Sequence, residues 1–316
     1  MHYIVFDLEW NQADGRHSGE GMLPFEIVEI GAVKLNRRMQ IVDRFEEVIK
    51  PKIYPHMHYM ATKIIQIDKE TLDNGGEFPE VMQRFLEWCG KDYTFCIWGT
   101  LDITELQRNM CFYGMEELAT GPLAYLDVQK LYSLAFEDGK VRRALEYAVD
   151  ELKIEKDQPF HRADCDAYYT AKVLHYIHKK HRDVEDYVSF DLYNAPQDEK
   201  DEVKIKFKTY SKYISREFSD KTEAMSDKMV SSTKCCVCGK PTKKIIKWFS
   251  VNGHHYFYVG ECKKHGYVKA KVRMKKADDG NIFVVKTMKI IDEEAVNEIR
   301  DKQEKLRAQR AEKRHK

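Results

Sequence analysis

Residues 3–10, YIVFDLEW, constrain the fold of this chain more than any other stretch. An apolar, partly β-branched run of this length reads as one buried strand, yet it carries two acids, Asp7 and Glu9. Residues i and i+2 of a strand point to the same face, so both carboxylates emerge side by side. Like charges at that separation repel, and burying a lone carboxylate is costly. A hard divalent cation such as Mg²⁺ or Mn²⁺ prefers carboxylate oxygens and resolves the conflict. Two solvated acids at a strand end are the plainer alternative for this dipeptide alone, and the rest of the chain decides between them.

Beyond a polar, glycine-bearing loop over residues 11–22, EIVEIGAVKL (Glu26 to Leu35) and IVDRFEEVIKP (Ile41 to Pro51) read as two further strands in meander order. Helices are expected over Thr62 to Leu72 and over Pro79 to Cys89, where Pro79 suits a first helical position and Val81, Phe85 and Trp88 share one face. TFCIWG (Thr94 to Gly99) is a short apolar strand, and a helix follows from about Asp102 to Phe112. LDVQKLYSLAF and VRRALEYAVDEL read as helical, and Arg162 or Asp164 opens a last helix reaching about Lys180. This order is that of a mixed sheet flanked by helices, an α/β domain. Asp102 follows the second apolar strand, and in α/β sheets the C-terminal strand edge is where ligands bind. In HRADCDAYYTAKVL, His161 precedes Asp166 by five positions. If Asp166 lies on the helix, His161 falls in the loop before it.

Asp7, Glu9, Asp102, His161 and Asp166, in this order, resemble the motifs of the DEDDh branch of the 3′→5′ exonucleases, relatives of RNase T, oligoribonuclease and the polymerase proofreading subunit. The H-x4-D spacing matches that branch, whereas the sister branch uses Y-x3-D and position 162 here is Arg. TKIIQIDKETLD, FPEVMQRFLEW and RRALEYAVDELKI extend the similarity over about residues 1–180, nearest to Eri-type and KapD-like sporulation-inhibitor exonucleases. The resemblance implies an RNase H-like mixed five-stranded sheet and a two-metal hydrolysis of single-stranded 3′ ends to nucleoside 5′-monophosphates. By the same resemblance, Asp7 would bridge two Mg²⁺ or Mn²⁺ ions about 3.5–4 Å apart. Glu9 and Asp166 would complete one site, Asp102 the other, and His161 would be the general base, as suits an imidazole of ordinary pKa near 6.5. Leu8 and Trp10 flank the acids and are candidates to wedge or stack against terminal bases. Met60, Thr62 and Ile65 lie where the family completes its terminal-nucleotide pocket, although Met60 and Ile65 fit a core equally well. RNA and DNA are not separated by these residues, but the Eri-type likeness favours RNA. Several relatives pair, so a homodimer is one expected state.

A second module is expected from charge and cysteine spacing. Residues 1–200 carry 24 Lys and Arg against 36 Asp and Glu, while residues 201–316 carry 29 against 16. An acidic half joined to a basic one points to a metal-dependent site coupled to a polyanion-binding module, although solvated faces give the same totals. Cys235-x2-Cys238 and Cys262-x2-His265 supply two knuckles with the spacing of a structural zinc site, with Cys236, His254 and His255 as rival ligands. KKIIKWFSV and HHYFYVGE, joined at Asn252-Gly253, form a hairpin, and YVKAKVRM and NIFVVKTMKI add two strands around Asp278, Asp279 and Gly280. Lysines interleave with Trp248, Tyr256 and Tyr258, a pattern that serves a nucleic-acid-binding ribbon or a solvated face. The expected division is an exonuclease domain over 1–182, a linker over 183–233 with helical turns and an isolated KIKFKTY strand (Lys204 to Tyr210), a zinc-ribbon-like β domain over 234–291 and a basic helix over 292–316. The remaining cysteines, Cys89, Cys96, Cys111 and Cys165, are dispersed and read as buried thiols. With 43% hydrophobic and 33% charged residues, no apolar run long enough to span a bilayer and no leader-like start, a cytoplasmic, membrane-free protein is expected. Rival functions are a regulatory factor that binds RNA or a protein partner through the C-terminal module, and DNA repair or proofreading.

Overall fold

The computed structural model describes residues 1–12, 23–65, 67–207, 210–277 and 280–314. The loop expected over 11–22 and the turn at Asp278 and Asp279 lie largely outside the described residues. The chain divides into two compact units: residues 1–119 with 123–193, and residues 120–122 with 194–316.

The first unit is built on β1 (His2–Gln12), β2 (Phe25–Leu35), β3 (Ile41–Val48), β4 (Tyr93–Ile97), β5 (Ala124–Asp127) and β6 (Ser189–Phe190). Their order in the sheet is β3-β2-β1-β4-β5-β6. The β1–β2 and β2–β3 pairs are antiparallel, whereas β4 and β5 add in parallel. This is the RNase H-like mixed sheet, with six strands where five were expected. The sixth is a two-residue antiparallel pairing on β5, too short to show any alternation. β5 occupies the start of the segment expected to be wholly helical, and the helix there begins only at Val128.

Period-two alternation along β1 divides the core. Tyr3 and Val5 pack with α5 (Val128–Phe136), α6 (Leu145–Glu151) and α7 (Ala163–Lys180). Ile4, Phe6 and Leu8 pack on the other face with α3 (Phe78–Cys89) and α4 (Leu101–Phe112). Asp7 and Glu9 continue the odd-numbered face and so meet α7. The helix expected over Thr62 to Leu72 is two short ones, α1 (Tyr59–Ile64) and α2 (Lys69–Asp73), the second capped by the Asp68 side chain on Thr71 N. Cys89, Cys96 and Cys165 are buried as expected, but Cys111 is exposed.

The second unit is also a six-stranded sheet, of order β7-β8-β12-β11-β10-β9. β9 (Lys243–Ser250), β10 (His255–Cys262), β11 (Gly266–Lys276) and β12 (Ile282–Ile291) fall on the four expected strands. β7 (Val203–Lys206) falls on the start of the expected KIKFKTY strand, whereas β8 (Tyr210–Phe218) comes from the segment expected to be a linker and pairs with β12 over its length. A bulge opposite Phe283 and Val285 breaks the alternation of β8, which hid this strand in the sequence. Short helices α8 (Lys221–Ser226) and α9 (Lys228–Ser231) follow, each capped by an aspartate. The tail forms α10 (Glu293–Arg314), whose Val296 and Ile299 pack on Ile246, Phe257 and Val259. Among the described residues no helix is long and apolar enough to cross a membrane.

Candidate active site

Three carboxylates converge where β1 meets α7: one oxygen each of Asp7, Glu9 and Asp166 lies within 4.8 Å of the others. Asp102 joins them from the first turn of α4, which starts just past the C-terminal end of β4. Asp102 is 6% exposed. Burial dominates the electrostatics and the charges add to it. The Asp7 carboxyl is held well above its ordinary range by burial and then by Asp102 and Asp166. Burial and the Asp166 charge push Glu9 up to about 8. Asp102 is pushed up to about 7 by burial, partly offset by backbone N–H groups of Asp102 and Leu8. Asp166 is pushed up to about 6 by burial, against the pull of the His161 N–H. One oxygen of Asp166 is buried without a hydrogen-bond partner among the described residues. Clustered acids that resist ionisation together, with an oxygen left over, are a donor set that fits hard divalent cations.

His161 is exposed on the loop entering α7, in the left-handed region at φ 66°, and its N–H donates to Asp166 Oδ2 at 3.3 Å. The loop therefore turns back on its own helix and holds the His161 backbone beside Asp166 while the residue stays exposed.

Three residues that sequence reasoning passed over hold this arrangement. Glu29, fully buried, lies opposite Glu9 in the β1–β2 register. Its Oε1 accepts from Arg162 Nε at 2.9 Å and Nη2 at 2.6 Å, and its Oε2 accepts from Ala163 N at 3.0 Å, the first residue of α7. Arg162 reaches Glu46 at 2.8 Å as well. Gly31, opposite Asp7, lies directly beneath α7: a Cβ there would sit 1.9 Å from Asp164 N. The available signal was an acid and a glycine inside EIVEIGAV, a strand with otherwise apolar burial on both faces.

The expected substrate contacts separate. Leu8 is 3% exposed and packs in the core on the face opposite Asp7 and Glu9, so it is no wedge for a terminal base. Trp10, beyond a register shift after Glu9, is half-buried against Phe25 at 5.4 Å. Ile65 is buried with Val28 and Leu72, the core alternative for that residue. Met60 and Thr62 are exposed on α1, and Met60 is 43% exposed.

In the second unit Cys235, Cys238, Cys262 and His265 each present a ligand atom within 4.8 Å of the rest. Cys238 Sγ lies 3.7 Å from Cys262 Sγ, and the Sγ atoms of Cys235 and Cys262 are each 3.6 Å from His265 Nδ1. A tetrahedron with zinc–sulfur bonds of about 2.3 Å has edges of roughly 3.8 Å, so four ligands fit one ion. Gly239 and Gly266, both at positive φ, turn the two knuckles. The rivals do not join: Cys236 packs into the adjacent core with its thiol pushed up to about 11 by burial, and His254 and His255 are outside the cluster. Trp248 and Tyr258 of the basic–aromatic pattern pack against each other at 5.5 Å in a tilted pair, with Tyr258 buried in that core and Trp248 half-buried beside it.

Residues 4–174 match the exonuclease family RNase T. The 3'-5' exoribonuclease 1 of Rattus norvegicus is 20% identical over 156 residues, 47% of this chain and 45% of the relative. Its Mus musculus counterpart aligns equally, so the match spans less than half of these curated relatives. Among solved structures, the nuclease domain of 3'hExo, a DEDDh family member, bound to rAMP, is 18% identical at a TM-score of 0.49, covering 57% of this chain and 92% of that one. A 3'-exonuclease recognising the 3'-end of a histone mRNA stem-loop is 17% identical at 0.49, covering 57% and 82%. More than half of the chain falls within the one family match, and it contains all five motif residues: the protein belongs to the RNase T exonuclease family, in its DEDDh branch.

Proposed function

We propose that the protein is a 3′→5′ exonuclease that releases nucleoside 5′-monophosphates from single-stranded ends, with RNA as the favoured substrate. The convergence of Asp7, Glu9 and Asp166 within 4.8 Å carries this reading. The family uses divalent cations, and Asp7, Glu9, Asp102 and Asp166 would hold two of them. When bound, such ions stabilise charge on the entering and leaving oxygens of an in-line phosphoryl displacement. His161 takes a proton from the attacking water, and its exposure lets the ring reach a water and release the proton to solvent. Asp166 sets the loop that carries it through the 3.3 Å bond to the His161 N–H. Met60 and Thr62, exposed on α1, remain candidates to face the terminal nucleotide, and Trp10 to flank it. The curated relatives are named exoribonucleases, which supports RNA over DNA. In the second unit Cys235, Cys238, Cys262 and His265 hold a structural zinc ion, since four protein ligands leave no open position for catalysis.

The test incubates the purified chain with 5′-labelled single-stranded RNA and DNA of one sequence, with Mg²⁺, with Mn²⁺ or without either. A metal-dependent ladder shortening from the 3′ end, faster on RNA and lost in Asp7→Ala, is expected. Equal cleavage by wild type and Asp7→Ala would overturn the assignment, and faster cleavage of DNA would overturn the substrate preference.

A further inference from the structure

The second unit contains a groove of about 830 Å³, within the usual range of about 300–1,000 Å³ for ligand sites. It lies between the strands β7 and β8, the helix α9 and the first cysteine knuckle. Five lysines line it: Lys204, Lys206, Lys212, Lys228 and Lys234. No carboxylate is among the lining residues. Lys204 is already held by Glu202 at 3.1 Å. Lys206, Lys228 and Lys234 are exposed, and among the described residues they have no carboxylate at ion-pair distance. The floor is different in character. Tyr213, Met229 and Met288 give it an apolar base, and Ser231, Ser232 and Thr233 add polar atoms.

A concave surface lined by one sign of charge concentrates its field and gathers counter-charge from solution. Cations along a rim over an apolar floor match a polymer that carries a charge on every residue and a flat apolar body between charges, which is single-stranded nucleic acid. The walls are set rather than loose. Buried Lys286 donates to the carbonyls of Met229 at 2.9 Å and Ser232 at 2.6 Å, tying the end of α9 to β12. Gly239 N donates to Cys235 O at 2.8 Å, closing the knuckle on the other side.

We propose that this groove is a binding site for single-stranded nucleic acid, with Lys206, Lys228 and Lys234 neutralising phosphates and the Tyr213–Met229–Met288 floor receiving a base. It rests on the exonuclease reading only in naming the strand that occupies it, and its test does not require hydrolysis. None of these residues belongs to the basic–aromatic pattern visible in the sequence, because β7, α9 and the knuckle meet only in the folded unit.

The full chain carrying Asp7→Ala, with zinc retained and no other divalent ion added, is titrated against a fluorescein-labelled single-stranded RNA over a range of salt. Each phosphate contact to a single strand contributes about −0.7 to the slope of log K against log salt. Lys206→Gln, Lys228→Gln and Lys234→Gln together should therefore flatten the slope by about 2 and weaken binding. All three side chains are exposed, so glutamine keeps their stems without touching the core. A control with Lys275→Gln, Lys276→Gln and Lys302→Gln removes the same charge elsewhere on the unit. An unchanged slope in the groove variant, an equal change in the control, or binding to anionic lipid vesicles with none to RNA would overturn the proposal. In the Asp7-intact background the groove variant should lose rate on long strands and keep it on dinucleotides. Failure of the nuclease reading would appear separately, as cleavage that survives Asp7→Ala or never occurs.

Discussion

Gly31→Ala adds a single methyl group at the contact on which the active-site geometry depends. An ideal Cβ at this position lies 1.9 Å from Asp164 N, 2.1 Å from Ala163 C and 2.4 Å from Asp164 Cα. All three are backbone atoms, so no side-chain rotation relieves the overlap. Restoring an ordinary contact of 3.4 Å requires the first turn of α7 to rise by about 1.5 Å. Asp166 and the His161 loop ride on that turn, whereas Asp7 stays on β1 opposite position 31. The carboxylates therefore separate along the direction that matters for catalysis. Overpacking of this kind costs about 1–3 kcal/mol of stability, and a 1 Å misplacement of reacting groups costs on the order of 10²-fold in rate. Initial rates on short single-stranded RNA, taken well below the melting transition, should show kcat down by about 100-fold with KM little changed, because α1, which carries the candidate substrate contacts Met60 and Thr62, is untouched. A folded Gly31→Ala variant with wild-type kcat would refute the reasoning, since α7 would then have another way to sit on β2.

Four further outcomes follow from the same geometry. Glu29→Gln should cost about 1–3 kcal/mol in urea unfolding, because the buried carboxylate is lost while part-exposed Arg162 keeps Glu46. Glu29→Met with Arg162→Met should recover stability without rate, and recovery of the rate as well would show that the pair serves packing alone. Mn²⁺ should raise the melting temperature of the wild type, by about 1.4 kcal/mol in stability for each tenfold excess over Kd, and leave Asp7→Ala unmoved. Without added metal, Asp7→Ala should melt higher than wild type, since the desolvation of Asp7 and its repulsion by Asp102 and Asp166 are gone. Elemental analysis should find one zinc ion per chain, lost in Cys238→Ser and kept in Cys236→Ser. Burial pulls the Lys286 ammonium down to about 8 from 10.5, so between those values the unfolded chain holds a proton that the folded chain lacks. Stability of the second unit should rise with pH across that window, and Lys286→Met should flatten the rise in urea titrations.

The acids of the site were legible because their spacing is itself geometric. Asp7 and Glu9 share a face by period two, and Asp166 and His161 straddle a helix start visible in the sequence. Glu29, Gly31 and Arg162 were not legible for a physical reason. Their meaning arises from a contact between β2 and α7, 133 positions apart in the chain for the Glu29–Arg162 pair, and no local period records it. Leu8 was misjudged from adjacency: it lies between the two acids in sequence, but alternation places it on the other side of the sheet. The four expected strands of the second unit were legible from alternation and from Asn252-Gly253. β8 was not, because its bulge interrupts the period, and β6 was not, because two residues have none.

Missing β8 also changes what the zinc ligands do. In a ribbon of four strands the ion substitutes for a core too small to stand alone. Here the sheet has six strands and two apolar clusters away from the knuckles. Tyr213, Phe218, Val272 and Val284 pack under α8 and α9, and Ile246, Phe257 and Val259 pack under α10. Only the cluster of Cys235, Cys236, Tyr258 and Val268 abuts the ligands. Loss of the ion should therefore loosen the knuckles and leave the sheet, so that Cys238→Ser keeps its far-ultraviolet circular dichroism. The first knuckle is also a wall of the lysine groove, through Lys234, Cys235, Cys236, Gly239 and Pro241. A bound zinc ion would then act on the shape of the proposed binding surface rather than on whether the unit folds, and the Cys238→Ser chain should lose affinity for single strands before it loses structure.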